Sequence, residues 1–251
     1  MDLYEFIRGL PPTRRIYFDD SYIASFNATV LKYGYEGRNI YIVLDATAFH
    51  PKSGGQPSDT GSLTSQNFKS NIKKAMLLND VIVHFGVADG SLSPKVLGTV
   101  NWEHRYLYMR RHTGGHLLDH CLSVTLGKPV ETSNSWLGEG CYVAYIGKTP
   151  SERSVLQAFE LANKLIRNGC PVRVEEVELE ELLRRAPYAP NIHRLPSLQR
   201  YRIVTIEGCT PIPCAGTHLH NIREIGELVL KKIEQLEKEF RIYYDVGAPN
   251  Y

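Results

Sequence analysis

Two histidines stand four residues apart in a stretch that otherwise has the pattern of a helix. His112 and His116 enclose Gly114 and Gly115, although each glycine in a helix interior costs about 1 kcal/mol relative to alanine. Residues i and i+4 of a helix share one face, so both imidazoles can be directed at one point. The glycines leave space there for a ligand or for another backbone segment. This pattern predicts half of a metal site.

A cysteine and a histidine with the same spacing occur in a second, distant segment. Cys214 and His218 lie four residues apart in a predicted loop, which follows a predicted strand at residues 202–206. Thiolate sulfur and imidazole nitrogen are ligands that zinc prefers in tetrahedral sites. Together with His112 and His116 they predict a tetrahedral metal site with nitrogen and sulfur ligands.

Some of the remaining candidates are weaker. Cys209 lies five residues before Cys214 and is an alternative ligand. The helical pair does not match the H-E-x-x-H motif of zinc peptidases, because Thr113 stands where those enzymes have their glutamate. The other histidines and cysteines are expected to be ordinary core or surface residues: His50, His84, His104, His120, His193, His220, Cys121, Cys141 and Cys170.

A glycine-rich segment at residues 47–61 contains too many turn-forming residues to be a strand. It includes the run Gly54, Gly55 and Gln56. One interpretation is a simple hairpin connection. The other is an open backbone surface that the phosphates or the sugar of a ligand can approach closely. The composition of the segment leaves both open.

The composition is that of an ordinary globular protein, with 251 residues and a formal net charge of +2. A nucleic-acid partner would therefore have to contact local basic clusters, each of which could equally be a solvated face. We see no signal peptide and no apolar run long enough to span a bilayer, which indicates a cytoplasmic protein. Five cysteines without regular spacing argue against a disulfide framework. The basic clusters are Arg14 with Arg15, Lys73 with Lys74, Arg110 with Arg111, Arg184 with Arg185, and Arg200 with Arg202.

The first hundred residues favour short strands separated by turns. The segments rich in β-branched and aromatic residues are 16–18, 25–31, 40–44, 72–78 and 81–85. They predict a small antiparallel barrel or sandwich. We place a domain boundary near residue 100, which gives an N-terminal β domain at 1–100 and a second domain at 101–251.

The second part alternates helices and strands. A helix is predicted to begin near Asn101 and to stop at Gly127, and a second to run from the cap Ser151 to Asn168 and to end at Gly169. A short helix is predicted at 178–185, closed by Pro187. Strands are predicted at 142–146, 171–177 and 202–206. The tail is ambiguous, since 228–240 fits an amphipathic helix whereas 240–246 alternates like a strand.

Three co-ordered motifs resemble those of a known family. The runs 112–118, 214–218 and 53–61 are similar to the signatures of alanyl-tRNA editing proteins of the AlaX type and of the editing domain of alanyl-tRNA synthetase. The resemblance covers nearly the whole chain from about residue 15, and the glycine-rich loop points to the medium-length members. The chain departs from the usual pattern at Gly114 or Gly115, at Ala215, at Ser53 and at His50.

The resemblance implies an α+β fold, with a small N-terminal β-barrel-like domain followed by an α/β two-layer editing domain as in threonyl- and alanyl-tRNA synthetases. It implies antiparallel strands in the ambiguous tail. It also implies a zinc-dependent, ATP-independent aminoacyl-tRNA deacylase that hydrolyses mischarged Ser-tRNA(Ala), and Gly-tRNA(Ala), in trans. The partner would be tRNA(Ala) and the cofactor one Zn²⁺ per chain.

Residue roles follow from the same resemblance. His112, His116, Cys214 and His218 would be both the zinc ligands and the catalytic residues. The substrate-binding residues would be Gly54, Gly55 and Gln56 at the terminal nucleotides, Ser133 and next to it Thr132 as hydroxyl-bearing selectors, and Arg110 and Arg111 at phosphates.

Two mechanisms and two other functions stay open at this point. The zinc could orient the attacking water, or it could anchor the ester while water attacks from elsewhere. No carboxylate stands out as a general base. A closed set of four protein ligands also suits an RNA-binding module with a purely structural zinc. A zinc hydrolase acting on free aminoacyl esters or amides is disfavoured by the missing glutamate.

Overall fold

The computed structural model describes residues 1–248, and the chain has a mixed α+β fold. It divides into two compact units. The first consists of Met1–Ser53 and Pro57–Leu107, and the second consists of Gly54–Gln56 and the residues from Tyr108 onward. The sequence predicted a boundary near residue 100. In the structure, the division lies a few residues later, and the Gly54–Gln56 segment is grouped with the second unit.

The first unit is built on a closed barrel of six strands, in the order β2-β3-β7-β6-β5-β8. Every neighbouring pair in the barrel is antiparallel, which confirms the predicted barrel. The elements of this unit are α1 (Leu3–Ile7), β1 (Arg14–Arg15), α2 (Ile16–Asp19), β2 (Ser25–Glu36), β3 (Asn39–Leu44), β4 (Ala46–Thr47), β5 (Gly61–Ser65), β6 (Phe68–Leu78), β7 (Val81–Gly90) and β8 (Lys95–Val100).

Along the barrel strands, side chains alternate between the core and the outer surface. In β6 the residues Phe68, Ser70 and Ile72 are buried and their neighbours are exposed, so one face of the strand points into the core. The β6–β7 hairpin turns on two residues, Asn79 and Asp80, with φ of 45° and 64°. Both angles are positive, as the type I′ turns that suit two-residue hairpins require.

One predicted strand in this unit is wrong. Residues 16–18 are rich in strand-forming side chains, yet they form the single helical turn α2 (Ile16–Asp19). Tyr17 is buried in the barrel core, and its ring contacts Phe18 and His50 edge-on at centroid distances of 4.9 and 5.1 Å. Packing of one aromatic side chain thus outweighs a local preference that is too short to specify a strand.

The second unit contains two antiparallel sheets and the two longest helices. One sheet has the order β14-β15-β10-β9, and the other has the order β11-β12-β13. Helix α3 begins at the end of the first unit. The elements are α3 (Trp102–Leu126), β9 (Thr132–Trp136), β10 (Tyr142–Ile146), α4 (Glu152–Asn168), β11 (Val172–Val177), α5 (Leu179–Arg185), β12 (Tyr201–Ile206), β13 (Ile212–Pro213), β14 (Leu228–Gln235) and β15 (Glu239–Val246), with short 3-10 helices at Ile192–Arg194 and Ile222–Ile225.

The predicted helix ends are confirmed. Asn101 Oδ1 accepts a hydrogen bond from the backbone N–H of His104 at 3.3 Å, and Ser151 Oγ accepts one from Ser154 at 3.1 Å. Both are caps of otherwise unpaired N–H groups. At the other ends, Gly127 and Gly169 have φ of 65° and 73°, a region where glycine is preferred.

The tail forms antiparallel strands, so the alternative of an amphipathic helix over residues 228–240 is wrong. β14 and β15 pair with each other, and β15 also pairs with β10. Phe240, Ile242 and Tyr244 alternate on the buried face of β15. Ladder hydrogen bonds on both sides of β15 are available only in the folded sheet, which is why local periodicity did not decide this segment. Within residues 1–248, no helix is long and apolar enough to cross a membrane.

A buried ion pair connects the glycine-rich segment to helix α3 within the first unit. Asp59 and Arg105 are both 0% exposed. Arg105 Nε lies 3.1 Å from each carboxylate oxygen of Asp59. The guanidinium also donates to the backbone oxygens of Ser21 (2.8 Å) and Ala48. Several chain segments therefore depend on one buried cation for their backbone hydrogen bonds.

We expect Asp59→Asn to destabilise the protein by about 3 to 5 kcal/mol, because it leaves the Arg105 charge buried and unpaired. Unfolding by urea, followed by circular dichroism, measures this change. Asp19→Asn is the matched control, since it removes a carboxylate from the Arg14–Asp19 pair, whose side chains are 71% and 53% exposed, and should cost at most about 1 kcal/mol. Equal effects of the two substitutions would contradict the assignment.

Candidate metal centre

Four side chains converge in the second unit. One ligand atom from each of His112, His116, Cys214 and His218 lies within 4.8 Å of the others. Sγ of Cys214 is 3.3 Å from Nε2 of His112 and 3.4 Å from Nε2 of His218. The structure therefore brings together the four residues that the two sequence motifs supplied.

The positions of these side chains follow from helix geometry and from a tightly held loop. His112 and His116 occupy one face of α3, with ring centroids 4.9 Å apart. The loop after β13 is fixed by Arg202, which donates Nη1 to the backbone oxygens of Cys214 at 3.0 Å and Gly216 at 2.7 Å. A Cβ at Gly216 would collide with the His112 ring. Glycine is needed there so that the loop can approach the helix.

A second layer of oxygen atoms orients the three imidazoles. Nδ1 of His112 lies 3.1 Å from Oε1 of Gln56, and Nδ1 of His218 lies 3.4 Å from Oγ1 of Thr113. Nδ1 of His116 is 3.8 Å from Oδ2 of Asp119. Each Nδ1 thus faces an oxygen while Nε2 faces the centre, an arrangement typical of metal-ligating histidines.

Gln56 fixes the proton of His112. The backbone N–H of Thr217 donates to Gln56 Oε1 at 3.1 Å, and Gln56 Nε2 donates to Thr217 Oγ1 at 2.8 Å. Because the backbone N–H can only donate, the amide atom between Thr217 and His112 is an oxygen. The proton of the neutral His112 ring is therefore on Nδ1, and its Nε2 lone pair points at the centre.

The unpaired atoms and the charges also fit a metal ion. Nε2 of His116 is buried and has no hydrogen-bond partner within the described part of the chain. Burial acts to raise the pKa of Cys214, but the neighbouring His112 and His218 outweigh it and hold that pKa well below its ordinary value. Burial and the nearby His112 keep the pKa of His218 well below its usual range. The Cys214 thiolate and the neutral His218 ring are thus in the protonation states that metal binding needs.

His116 differs from the other two histidines. Burial opposes its charged form, yet Asp119 and Cys214 outweigh burial and raise the pKa of His116 to about 9. The ring is protonated at neutral pH in the metal-free protein, so a metal ion has to displace this proton. Cys209, the alternative ligand, is not one of the four clustered residues, and burial raises the pKa of its thiol to about 12. Its thiol is therefore in the form that binds metals poorly.

A cavity of about 470 Å³ opens beside the four ligands. Gly115 lines it, and a Cβ there would come within 2.7 Å of the Tyr244 hydroxyl. Glycine is needed at position 114 for a different reason, since a Cβ there would come within 2.8 Å of Leu228 in β14. Only one of the two glycines borders the cavity; the other permits close packing of helix on sheet.

The two selector candidates lie on different sides of β9. Thr132 lines the cavity and is buried, and its Oγ1 donates to the backbone oxygen of Pro190 at 3.1 Å and accepts from Arg194 at 2.8 Å. Ser133, the better-aligned candidate, instead bonds to Glu239. Of the two candidates, Thr132 is the residue that lines the cavity.

The residues of the glycine-rich loop also differ in whether they border the cavity. Gly54 and Gly55 line the cavity, and Gly55 lies so close to the backbone of Ser135 that a side chain would not fit. Gln56 is 0% exposed and holds His112. Both ends of its amide are therefore bonded inside the protein, to Thr217 and to His112.

Arg110 and Arg111 differ from the expectation that they contact phosphates. Both are less than 10% exposed. Arg110 donates to the backbone oxygens of Glu224 and Ile225, and Arg111 pairs with Asp245 at 2.9 Å. A guanidinium has five donors, and here they bond to backbone oxygens and to the partly exposed Asp245 carboxylate of the same unit. The doublet that looked basic in the sequence does not face solvent.

Three residues near the centre escaped the sequence analysis. Asp119 and Arg194 lie outside the motifs, and Thr113 lies inside the 112–118 run but had no role assigned to it. The position of Asp119 could have indicated a contact with His116, because it lies three residues later on the same helix face. Arg194 belongs to a loop far along the chain, and no local pattern connects it to Thr132.

Two family models match parts of the chain. The model described as tRNA synthetases class II (A) matches residues 22–104, and the threonyl and alanyl tRNA synthetase second additional domain matches residues 201–243. The second match contains Cys214 and His218. It therefore includes half of the candidate metal centre.

Curated relatives match almost the whole chain. The alanine–tRNA ligase of Ignicoccus hospitalis is 33% identical over 238 residues, which are 94% of this chain and 26% of that protein. Those of Pyrobaculum neutrophilum and Thermofilum pendens are each 31% identical, over 92% and 97% of this chain and 26% and 27% of their own lengths. The chain thus spans about a quarter of the relatives it matches. Its sequence is therefore similar to one region of these alanine–tRNA ligases, in keeping with the alanyl-tRNA editing signatures that its three motifs resemble.

Proposed function

We propose that this chain is an aminoacyl-tRNA deacylase that hydrolyses Ser-tRNA(Ala), and Gly-tRNA(Ala), in trans, with one zinc ion held by His112, His116, Cys214 and His218. One observation carries the proposal: the four ligands converge beside a cavity of about 470 Å³ that contains the Thr132 hydroxyl. The relatives are named alanine–tRNA ligases, which supports tRNA(Ala) as the partner.

The donor set suits zinc, because three imidazole nitrogens and one thiolate form a common tetrahedral zinc environment. When bound, zinc would supply a Lewis acid that stabilises the charge developing on the ester oxygen. Gln56 keeps the His112 lone pair directed at the ion. Gly115 keeps the cavity open beside it. These residues position the reacting ester and leave the attack to water.

Thr132 provides the basis for choosing serine over alanine. Its hydroxyl hydrogen is donated to Pro190 and one lone pair accepts from Arg194, which leaves one lone pair free to accept. A serine hydroxyl can donate to it, whereas an alanine methyl cannot, so the serine ester gains a hydrogen bond that the alanine ester lacks. Glycine fits the space without making this bond, so we expect slower cleavage of Gly-tRNA(Ala).

An RNA-binding module with a structural zinc is the second candidate. The observation in its favour is the complete set of four protein ligands, since catalytic zinc sites usually keep one position open. The two candidates differ in one measurable respect. The deacylase cleaves Ser-tRNA(Ala) when zinc is bound, and the module does not.

In a deacylation assay we expect zinc-replete protein to cleave Ser-tRNA(Ala) and to spare Ala-tRNA(Ala). His116→Ala and Cys214→Ala should lose roughly 100-fold or more in rate, together with their zinc, because each removes a ligand. Zinc content is measured on the same samples. His220→Ala is the control, since this exposed histidine is two residues from a ligand and is outside the cluster. Zinc-replete protein that leaves Ser-tRNA(Ala) intact would overturn the proposal.

Thr132→Val keeps the shape of the side chain and removes its hydroxyl. We expect the preference for Ser-tRNA(Ala) over Ala-tRNA(Ala) to fall by about tenfold or more, because a lost hydrogen bond and an unpaired partner together cost about 1 to 3 kcal/mol. The ratio of kcat/KM for the two substrates measures this. Ser133→Ala, on the other face of β9, should leave the ratio unchanged. The opposite result would restore Ser133 as the selector.

Zinc affinity should rise with pH. Since zinc must displace the proton that His116 carries with a pKa of about 9, we expect the apparent Kd to fall about tenfold per pH unit between pH 7 and 9 and to level off above that range. Competition with a chelator of known pH dependence measures the affinity. A Kd that does not change from pH 7 to 9 would show that His116 is already neutral.

A further inference from the structure

Asp119 is a carboxylate in the wall of the metal cavity whose role the proposed function has not used. It lies on α3, less than one turn after His116, and is 5% exposed. Within the described residues, it is the only acidic side chain that lines this cavity. The cavity therefore has one anionic point in addition to the metal ligands.

The protein neighbours of Asp119 leave part of its carboxylate unused. Oδ1 accepts a hydrogen bond from the Tyr145 hydroxyl at 2.8 Å. Oδ2 faces Nδ1 of His116 at 3.8 Å on one side. A carboxylate has about four acceptor positions, and a buried one is costly unless it is paired. Oδ2 can therefore take a further donor that enters the cavity.

The cation of the cavity wall has a different partner. Arg194 donates Nη2 to Thr132 Oγ1 at 2.8 Å. Among the described ion pairs, Asp119 pairs with His116. Arg194 is not within ion-pair distance of Asp119, although the Asp119 charge opposes the lowering of the Arg194 pKa by burial. The carboxylate is thus the point at which a positive group of a ligand would be stabilised.

We propose that Asp119 binds the α-ammonium group of the aminoacyl ester, so that the site selects esters with a free amino group. This inference rests on the proposed function. In an aminoacyl ester, one carbon separates the ammonium nitrogen from the reacting carbonyl carbon. In the protein, one imidazole ring separates the Asp119 carboxylate from the metal centre, because His116 directs Nδ1 at Asp119 and Nε2 toward the other ligands.

Three contacts then define the substrate. The ester lies at the metal centre, the ammonium group at Asp119, and the serine hydroxyl at Thr132. The ester carbonyl, the ammonium group and the hydroxyl-bearing side chain are three of the four substituents of the α-carbon. An ester whose amino group is acylated or replaced by a hydroxyl lacks the charge that Asp119 recognises, so peptidyl or formylated tRNA would be cleaved poorly.

The test compares Ser-tRNA(Ala) with its analogue in which a hydroxyl replaces the α-amino group, a change of charge without added bulk. We expect the wild-type protein to prefer the amino ester by about 10- to 100-fold in kcat/KM, the range for hydrogen bonds to charged groups. Asp119→Asn, which keeps the acceptor for Tyr145, should reduce the preference to within about threefold at unchanged zinc content. Glu103→Gln, an exposed carboxylate in the first turn of the same helix, is the control and should keep the full preference.

Binding of two amide-linked adenosine derivatives gives a readout that needs no turnover. These are 3′-seryl-amido-adenosine and its α-hydroxy counterpart, measured by calorimetry with zinc-replete protein. We expect the wild type to bind the amino compound about 10-fold or more tightly than the hydroxy compound, and Asp119→Asn to bind the two alike.

The outcomes separate this inference from the proposed function. A wild type that cleaves Ser-tRNA(Ala) but treats the two esters alike overturns the role of Asp119 and leaves the deacylase intact. A full preference retained in Asp119→Asn overturns it as well. So does an equal loss on both substrates together with loss of zinc, which would show that Asp119 acts only through His116. A wild type that cleaves neither ester contradicts the deacylase itself.

Discussion

Three imidazole rings are held around a single thiolate, and contacts from several segments of the second unit keep these four side chains in place. The Nε2 atoms of His112 and His218 lie 3.3 and 3.4 Å from Sγ of Cys214, which is possible only because each Nδ1 has an oxygen on its outer side. Without those oxygens the rings could rotate and the lone pairs would diverge. The cavity, its glycine and its polar wall are useful only where these lone pairs meet.

The glycine-rich loop shows how one motif can serve two purposes. Gly54 and Gly55 border the cavity, where a side chain would be in the way. Gln56 turns inward and fixes the tautomer of His112 through its bonds to Thr217. A segment that appears to be a ligand-binding loop thus also provides part of the support for the metal ligands. The physical reason is that an amide offers both a donor and an acceptor, and here the protein uses both.

Asp119, Thr132 and Arg194 give the cavity its chemical character. In the proposed deacylase, the metal ligands alone would accept any ester small enough to enter. A carboxylate on one wall and a threonine hydroxyl whose hydrogen is already donated would add two requirements, a positive charge and a donor. Both depend on residues that face the cavity from different elements. Selectivity in such a site comes from unpaired acceptors that a wrong substrate leaves unsatisfied.

The sequence by itself determined the residue types that can hold a metal, their grouping in two pairs, the barrel, and the helix ends, because these depend on spacings and caps within a few residues. Only the tertiary structure decided which neighbours orient the ligands, that Thr132 and not Ser133 borders the cavity, that Arg110 and Arg111 are internal, and that residues 228–240 form strands. Strand pairing, burial and hydrogen bonds between segments far apart in the chain control these features. No local pattern reports contacts of that kind.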